Sequence, residues 1–248
     1  MNNYLGLAVI GLALATAACK KSESDANAVP NATAAVSTEP AYSGKDWTET
    51  VAKTSEGGFR MGNPDAPVKL VEYASLTCPH CRDFTRTGAE TLREKYVKTG
   101  KISWEYRNFV LNPLDVAVTM VVRCQGAEPF FPLVEAVYGS QEKWVGQFNS
   151  IDEKKLQAIG TLPQVDQFKQ LVQLSGLVDF FKSHGVPEDK IYACLSDKSA
   201  LDQLLKLRSY GADTDKVDGT PNFFLNGDKQ AEVYDWSGLE AKLRERVR

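Results

Sequence analysis

The stretch Val68-Lys69-Leu70-Val71-Glu72-Tyr73-Ala74-Ser75-Leu76-Thr77-Cys78-Pro79-His80-Cys81-Arg82-Asp83-Phe84 decides the fold of this chain. Its first part, Val68 to Ser75, is short and mostly apolar, the pattern of a central strand covered on both faces. From Arg82-Asp83-Phe84 onward the pattern is helical, with Phe84, Leu92 and Tyr96 on one side and a stop at Gly100. Between the two lies Cys78-Pro79-His80-Cys81. Two thiols three residues apart at a strand-to-helix junction suit a dithiol/disulfide couple. The first thiol meets unpaired backbone N–H groups and the positive end of the helix dipole, which favour its thiolate. The second lies one turn further on, within reach of a small disulfide ring.

Working outward, Ile102-Ser103-Trp104-Glu105-Tyr106 alternates and reads as a second strand, giving β-α-β around the cysteine pair. Asn112-Pro113 is a helix start, Asn as N-cap and Pro at the first position. Ala117, Met120, Val121 and Cys124 then mark one apolar face. Further helical patterns cover Phe130 to Tyr138, Ile151 to Ile159 and Gln164 to Ser183, the last stopped by His184-Gly185 and Pro187. Another runs from Pro187 to Tyr210, with a break. Pro221-Asn222-Phe223-Phe224-Leu225 reads as a strand leading into the hairpin turn Asn226-Gly227, and Ala231 to Tyr234 supply its partner strand. Trp236, Leu239, Leu243 and Val247 form the stripe of a closing helix. The order is β-α-β, a helical region over about residues 112–210, then β-β-α.

The 248 residues, 43% hydrophobic and 25% charged, suit one folded domain of ordinary size with appendages. A net charge of −3, from 32 acidic and 29 basic side chains, gives no footprint for nucleic acid. Arg244, Arg246 and Arg248 read as a solvated last helical turn complementing the helix dipole. Tyr4 to Ala18 is apolar but too short for a comfortable membrane span, and it ends in the small residues Ala15-Thr16-Ala17-Ala18-Cys19. Residues 1–18 are therefore expected to be a signal peptide. Ala-Ala-Cys also resembles the lipobox of bacterial lipoproteins, which makes Cys19 the expected lipidation site; plain cleavage and an uncleaved anchor are the alternatives. Export places the chain in an oxidising compartment. Residues 19–45, rich in Ala, Ser, Asn, Thr and Pro, lack the apolar surface to offset ordering entropy and read as a flexible tether, so the folded part spans 46–248.

From Asp46 to Arg248 the chain resembles the DsbA-type thiol-disulfide oxidoreductases of the bacterial periplasm, which are α/β proteins with a thioredoxin fold and an inserted α-helical domain. Four features carry the resemblance: the Pro79-His80 dipeptide between the cysteines, Glu72 six residues before Cys78, Thr220-Pro221 before the hairpin, and the position of the helical insertion. The resemblance implies a buried acid at Glu72 beneath the redox pair and a cis-proline at Pro221 against the active site. It also implies a monomer that oxidises cysteine-containing exported proteins and is itself reoxidised by a membrane partner of the DsbB type. No cofactor is expected beyond the Cys78–Cys81 disulfide, and membrane attachment only through the N-terminal lipid. Thr220 stands where DsbA proteins often have Val; Thr is more typical of disulfide isomerases and several DsbA-like lineages. The direction of catalysis therefore stays open between oxidase and isomerase or reductase.

In this reading Cys78 is the nucleophile, Cys81 resolves the mixed disulfide, and His80 donates or places positive charge near the Cys78 sulfur. The alternatives are an inert disulfide and a metal site on Cys78, His80 and Cys81; structural zinc usually needs four ligands and no second pair is visible. Glu72, on an otherwise apolar strand, is expected to have a raised pKa or a polar partner and to exchange a proton with Cys81; a carboxylate satisfied by a buried lysine or by an edge position is the alternative. Pro221 presents the Thr220 backbone to an extended client segment, or is an ordinary trans turn proline. Cys124 and Cys194 lie on apolar helical faces. They are either two buried thiols or, in an oxidising compartment, a structural disulfide within the insertion, as some DsbA-like proteins have.

Overall fold

The computed structural model describes residues 44–247, so the expected signal peptide, Cys19 and nearly all of the expected tether lie outside the described residues. A parallel pair forms the centre of the sheet, β3 (Val68–Ala74) beside β4 (Ile102–Asn108). Glu72 stands opposite Tyr106 of β4 and Phe223 of β5 (Asn222–Leu225), which runs antiparallel on the other side of β3. Strict alternation along β3 sends Val68, Leu70, Glu72 and Ala74 into the main core, while Tyr73 packs on the opposite face with Phe109, Val217 and Phe224.

Between β3 and β4 the chain forms α1 (Pro79–Phe84) and continues through wider-wound turns at Thr85–Ala89 and Leu92–Val97. Gly100, at φ +75°, ends it and is covered by the Trp47 indole. The closing helix α10 (Trp236–Arg246) is capped by the Asp235 side chain. It packs Trp236 against Gly88, where a Cβ would lie 2.6 Å from the indole ring. Phe84 joins this contact from α1 and packs at a tilt on Phe223, ring centroids 4.8 Å apart. The C-terminal end of α1 is thereby fixed between the sheet and α10.

The helical region runs from α2 (Pro113–Cys124) through α3 (Phe130–Gly139), α4 (Gln141–Asn149), α5 (Glu153–Gly160), α6 (Gln164–Leu174), α7 (Leu177–Ser183) and α8 (Glu188–Leu195) to α9 (Lys198–Asp213). Asn112 caps α2 by accepting from the Asp115 N–H at 2.9 Å. Every residue from Leu114 to Val122 is buried, so α2 is the hub on which the rest of the insertion packs. Cys124 and Cys194 are bonded and tie α2 to α8 across a sequence separation of 70.

Several elements differ from the sequence reading. A hairpin, β1 (Val51–Lys53) with β2 (Phe59–Met61), adds two strands to the β4 edge. Each is three residues long, too short for alternation to register. The expected single helix over Gln164 to Ser183 is broken at Gly176, whose φ of +70° ends α6 and starts α7. Helix α4 lies where no helix is read, because only Gln141 and Trp144 on it are buried. The partner strand of β5 is β6 (Asp228–Lys229), not Ala231 to Tyr234. The two-residue turn, Asn226 at φ +52° and Gly227 at φ +90°, forces pairing at once, Leu225 with Asp228. The sheet order is β1-β2-β4-β3-β5-β6. With its helical insertion, this is the thioredoxin arrangement expected from the sequence.

Candidate active site

The site is built where the central strand ends. β3 delivers the loop Ser75-Leu76-Thr77, and Cys78 follows as the N-cap of α1, with Pro79 at the first helical position. The Cys78 sulfur accepts from the Cys81 backbone N–H at 3.4 Å. As a thiol it donates to the Thr220 carbonyl oxygen at 3.2 Å. The Cys81 thiol, the Thr220 side chain and the backbone N–H groups of Cys81 and His80 together hold the Cys78 thiol down at about 5, against the opposing effect of burial. Cys81 goes the other way. Burial, then the hydrogen bond to the Cys78 sulfur and the neighbouring Cys78 and Glu72 charges, push its thiol well above the ordinary value. Cys78 keeps 6% of its surface and Cys81 none, so only the first sulfur can be approached from outside. Both are free thiols, which makes this the reduced pair.

Beneath them Glu72 is fully buried. One carboxyl oxygen accepts from the Trp104 indole N–H at 3.0 Å and the other has no partner among the described residues. Burial, with a smaller push from the Cys78 charge, raises Glu72 to about 8, so at neutral pH it carries a proton. Among the described residues no lysine satisfies it; its partner is an indole on the neighbouring strand. Tyr106 and Tyr138 hydroxyls meet at 2.8 Å, and Tyr138 donates to the Ser75 carbonyl at 2.9 Å.

The Thr220–Pro221 peptide bond is cis. Half-buried Thr220 faces Cys78, and buried Pro221 leads into β5. The structure thus brings Glu72, Cys78, Cys81, Thr220 and Pro221 together from β3, α1 and the approach to β5. Pro79 and His80 are exposed at the start of α1, and the His80 ring makes no hydrogen bond among the described residues. What His80 supplies to the Cys78 thiolate is its backbone N–H. The Cys124–Cys194 bond sits apart, within the insertion.

Sequence reasoning missed three side chains that shape the site. Trp104 shows in the sequence only as part of a strand, yet its indole reaches Glu72 diagonally across the parallel pair. Asp115 is fully buried and accepts from the Ser75 hydroxyl at 2.6 Å and the Leu76 N–H at 3.0 Å. Burial raises its carboxyl to about 6, while these donors and the Leu111 N–H oppose the shift. Its one sequence signal is an acid in the first turn of a capped helix, which ordinarily means dipole compensation. Gln141 had no signal at all.

A family model described as thioredoxin matches residues 54–245. A Rickettsia bellii protein named as a protein-disulfide oxidoreductase is 29% identical over 192 residues, which is 77% of this chain and 65% of the relative. The chain spans a little under two thirds of the length of such curated relatives, 65% and 64% for two from Rickettsia bellii and Rickettsia felis. Among solved structures, the protein-disulfide isomerase from Novosphingobium aromaticivorans is similar at 29% identity and a TM-score of 0.74, over 76% of this chain and 96% of that one. The alpha-DsbA1 of Wolbachia pipientis is similar at 26% identity and a TM-score of 0.57, over 76% and 89%.

Proposed function

The chain belongs to the thioredoxin family, and from that premise we propose that it is an exported thiol-disulfide oxidoreductase that donates the Cys78–Cys81 disulfide to cysteine-containing clients. The observation that carries this reading is the placement of the two thiols: the Cys78 sulfur caps α1, accepting the Cys81 N–H at 3.4 Å beside the cis Thr220–Pro221 bond and keeping a little exposed surface, while Cys81 is fully buried behind it. A client thiolate attacks the Cys78 sulfur of the oxidised pair. The Cys78–Cys81 bond breaks, Cys81 leaves with the electron pair, and a client–Cys78 bond forms. The buried Cys81 thiolate takes up a proton, for which protonated Glu72 is the neighbouring source. A second client thiolate then attacks the client sulfur, closing the client disulfide and releasing Cys78 as its stabilised thiolate. Two electrons pass to the pair, and no metal or cofactor takes part.

A thiolate stabilised in the reduced form makes the disulfide a better oxidant, which favours donation over reduction. The chain would then need reoxidation by a membrane partner of the DsbB type. It works as a periplasmic monomer, tethered by lipid on Cys19 after removal of residues 1–18. The test is oxidation of reduced, unfolded ribonuclease by the preoxidised protein. Stoichiometric disulfide transfer supports the reading, and none refutes it. Loss of fatty-acid labelling in Cys19→Ala tests the anchor.

Isomerisation is the second reading. It is favoured by Thr220 before Pro221 and by the similarity to a protein named as an isomerase. Reactivation of scrambled ribonuclease by the reduced protein separates the two.

A further inference from the structure

The redox loop is gripped by the helical insertion. Gln141, the first residue of α4, is 3% exposed and turns its carboxamide nitrogen onto two loop carbonyls, Leu76 at 2.8 Å and Cys78 at 2.9 Å. That nitrogen has two hydrogens, and both are used. The Cys78 carbonyl also accepts the Arg82 N–H at 3.2 Å, the bond that starts α1. Gln141 and the catalytic helix therefore share an acceptor on the nucleophile's own backbone. Tyr138 holds the Ser75 carbonyl, and Asp115 holds the Ser75 hydroxyl and the Leu76 N–H. All three side chains come from the insertion, and all are almost fully buried.

From these contacts we infer that Gln141 is a positioning residue for Cys78, fixing the backbone on either side of the thiol so that the sulfur stays among its donors. The inference rests on the proposed exchange chemistry only in taking Cys78 as the reacting sulfur. A glutamine that merely satisfied two buried carbonyls would stabilise the fold without touching the thiol. The two roles are separable, because a sulfur held 3.4 Å from the Cys81 N–H loses that donor when its backbone drifts.

Gln141→Met keeps the side-chain length and removes both donors. The readouts are the pH midpoint of thiolate absorbance, with Cys78→Ser as blank, and thermal unfolding of the oxidised and reduced forms. The midpoint is expected to rise by about one unit, roughly a tenfold loss of thiolate at any pH below it. The reduced form should lose more stability than the oxidised form. Tyr138→Phe, which releases the Ser75 carbonyl without leaving a hole, should shift the midpoint in the same direction and serves if Gln141→Met does not fold. Ser175→Ala, which removes a buried hydroxyl of the insertion that donates to the Leu171 carbonyl, should leave the midpoint alone. An unmoved midpoint in the Gln141 and Tyr138 variants, with equal loss of stability in both redox forms, overturns the positioning role while leaving the proposed function intact. A wild-type protein with no thiolate at neutral pH overturns both.

Discussion

The Cys78 sulfur lies 3.2 Å from the carbonyl oxygen of Thr220, a residue 142 positions later in the chain. That contact belongs to the thiol, since only an S–H can donate to a carbonyl. The Thr220 side chain acts on the other protonation state and favours the thiolate.

Replacing Thr220 by Val removes the hydroxyl and keeps the carbonyl. A hydrogen bond to a charged group is worth about 1.5–3 kcal/mol, and one pKa unit is about 1.4 kcal/mol. Because other donors remain, the Cys78 midpoint should rise by about one unit in Thr220→Val, measured by thiolate absorbance. No change would show that the side chain does not reach the sulfur.

The two cysteines should fail differently. Cys78→Ser should abolish exchange with clients. Cys81→Ser keeps the Cys78 thiolate, which can still attack a disulfide-bonded client and displace one client thiolate, but removes the sulfur that would resolve the mixed disulfide, so with oxidised clients covalent complexes should accumulate and be seen on non-reducing gels. Equal accumulation in both variants would contradict the assigned order of attack.

What was legible in the sequence was local. Cys78-Pro79-His80-Cys81 at the end of an apolar run, Asn112 before Pro113, and Asn226-Gly227 each declare themselves within a few residues, through thiol spacing, a cap and a turn. The hairpin β1–β2 escaped because three-residue strands carry no period. The break at Gly176 escaped because the apolar pattern continues on both sides of it. Trp104, Asp115 and Gln141 act across separations of 32, 39 and 65 residues, on Glu72, Leu76 and Leu76 respectively. Nothing in their own neighbourhoods distinguishes them from a strand aromatic, a first-turn acid and a surface amide. The insertion was visible as a block of helices, but its hold on the redox loop exists only in three dimensions.

Glu72 sets a pH dependence whose sign follows from its burial. In the unfolded chain it titrates near 4.5, and in the fold at about 8. Between those values the folded state binds a proton that the unfolded chain has released, so stability falls as pH rises through the window, by up to about 1.4 kcal/mol per unit. Glu72→Gln ends this titration and leaves an oxygen to accept from the Trp104 indole. Denaturant unfolding of the oxidised protein should find the variant more stable than wild type by about 2–4 kcal/mol at pH 8 and no more stable at pH 4. An equal gain at both would assign the effect to something other than ionisation.

The Cys124–Cys194 bond closes a long loop, a sequence separation of 70, which in the chain-entropy account stabilises the fold by about 4 kcal/mol. The double variant Cys124→Ala, Cys194→Ala should unfold at correspondingly lower denaturant. The Cys78 midpoint should stay where it is, because neither residue touches the redox loop. A shifted midpoint would mean that the bridge reaches the active site through α2.

The proposed chemistry requires that this couple give its disulfide away. Its most direct test is the reduction potential of Cys78–Cys81, measured by equilibration with glutathione at neutral pH. With the Cys78 thiolate held at about 5, the potential should lie well above the roughly −270 mV of thioredoxin and toward the roughly −120 mV of DsbA. A potential at or below that of thioredoxin would contradict it.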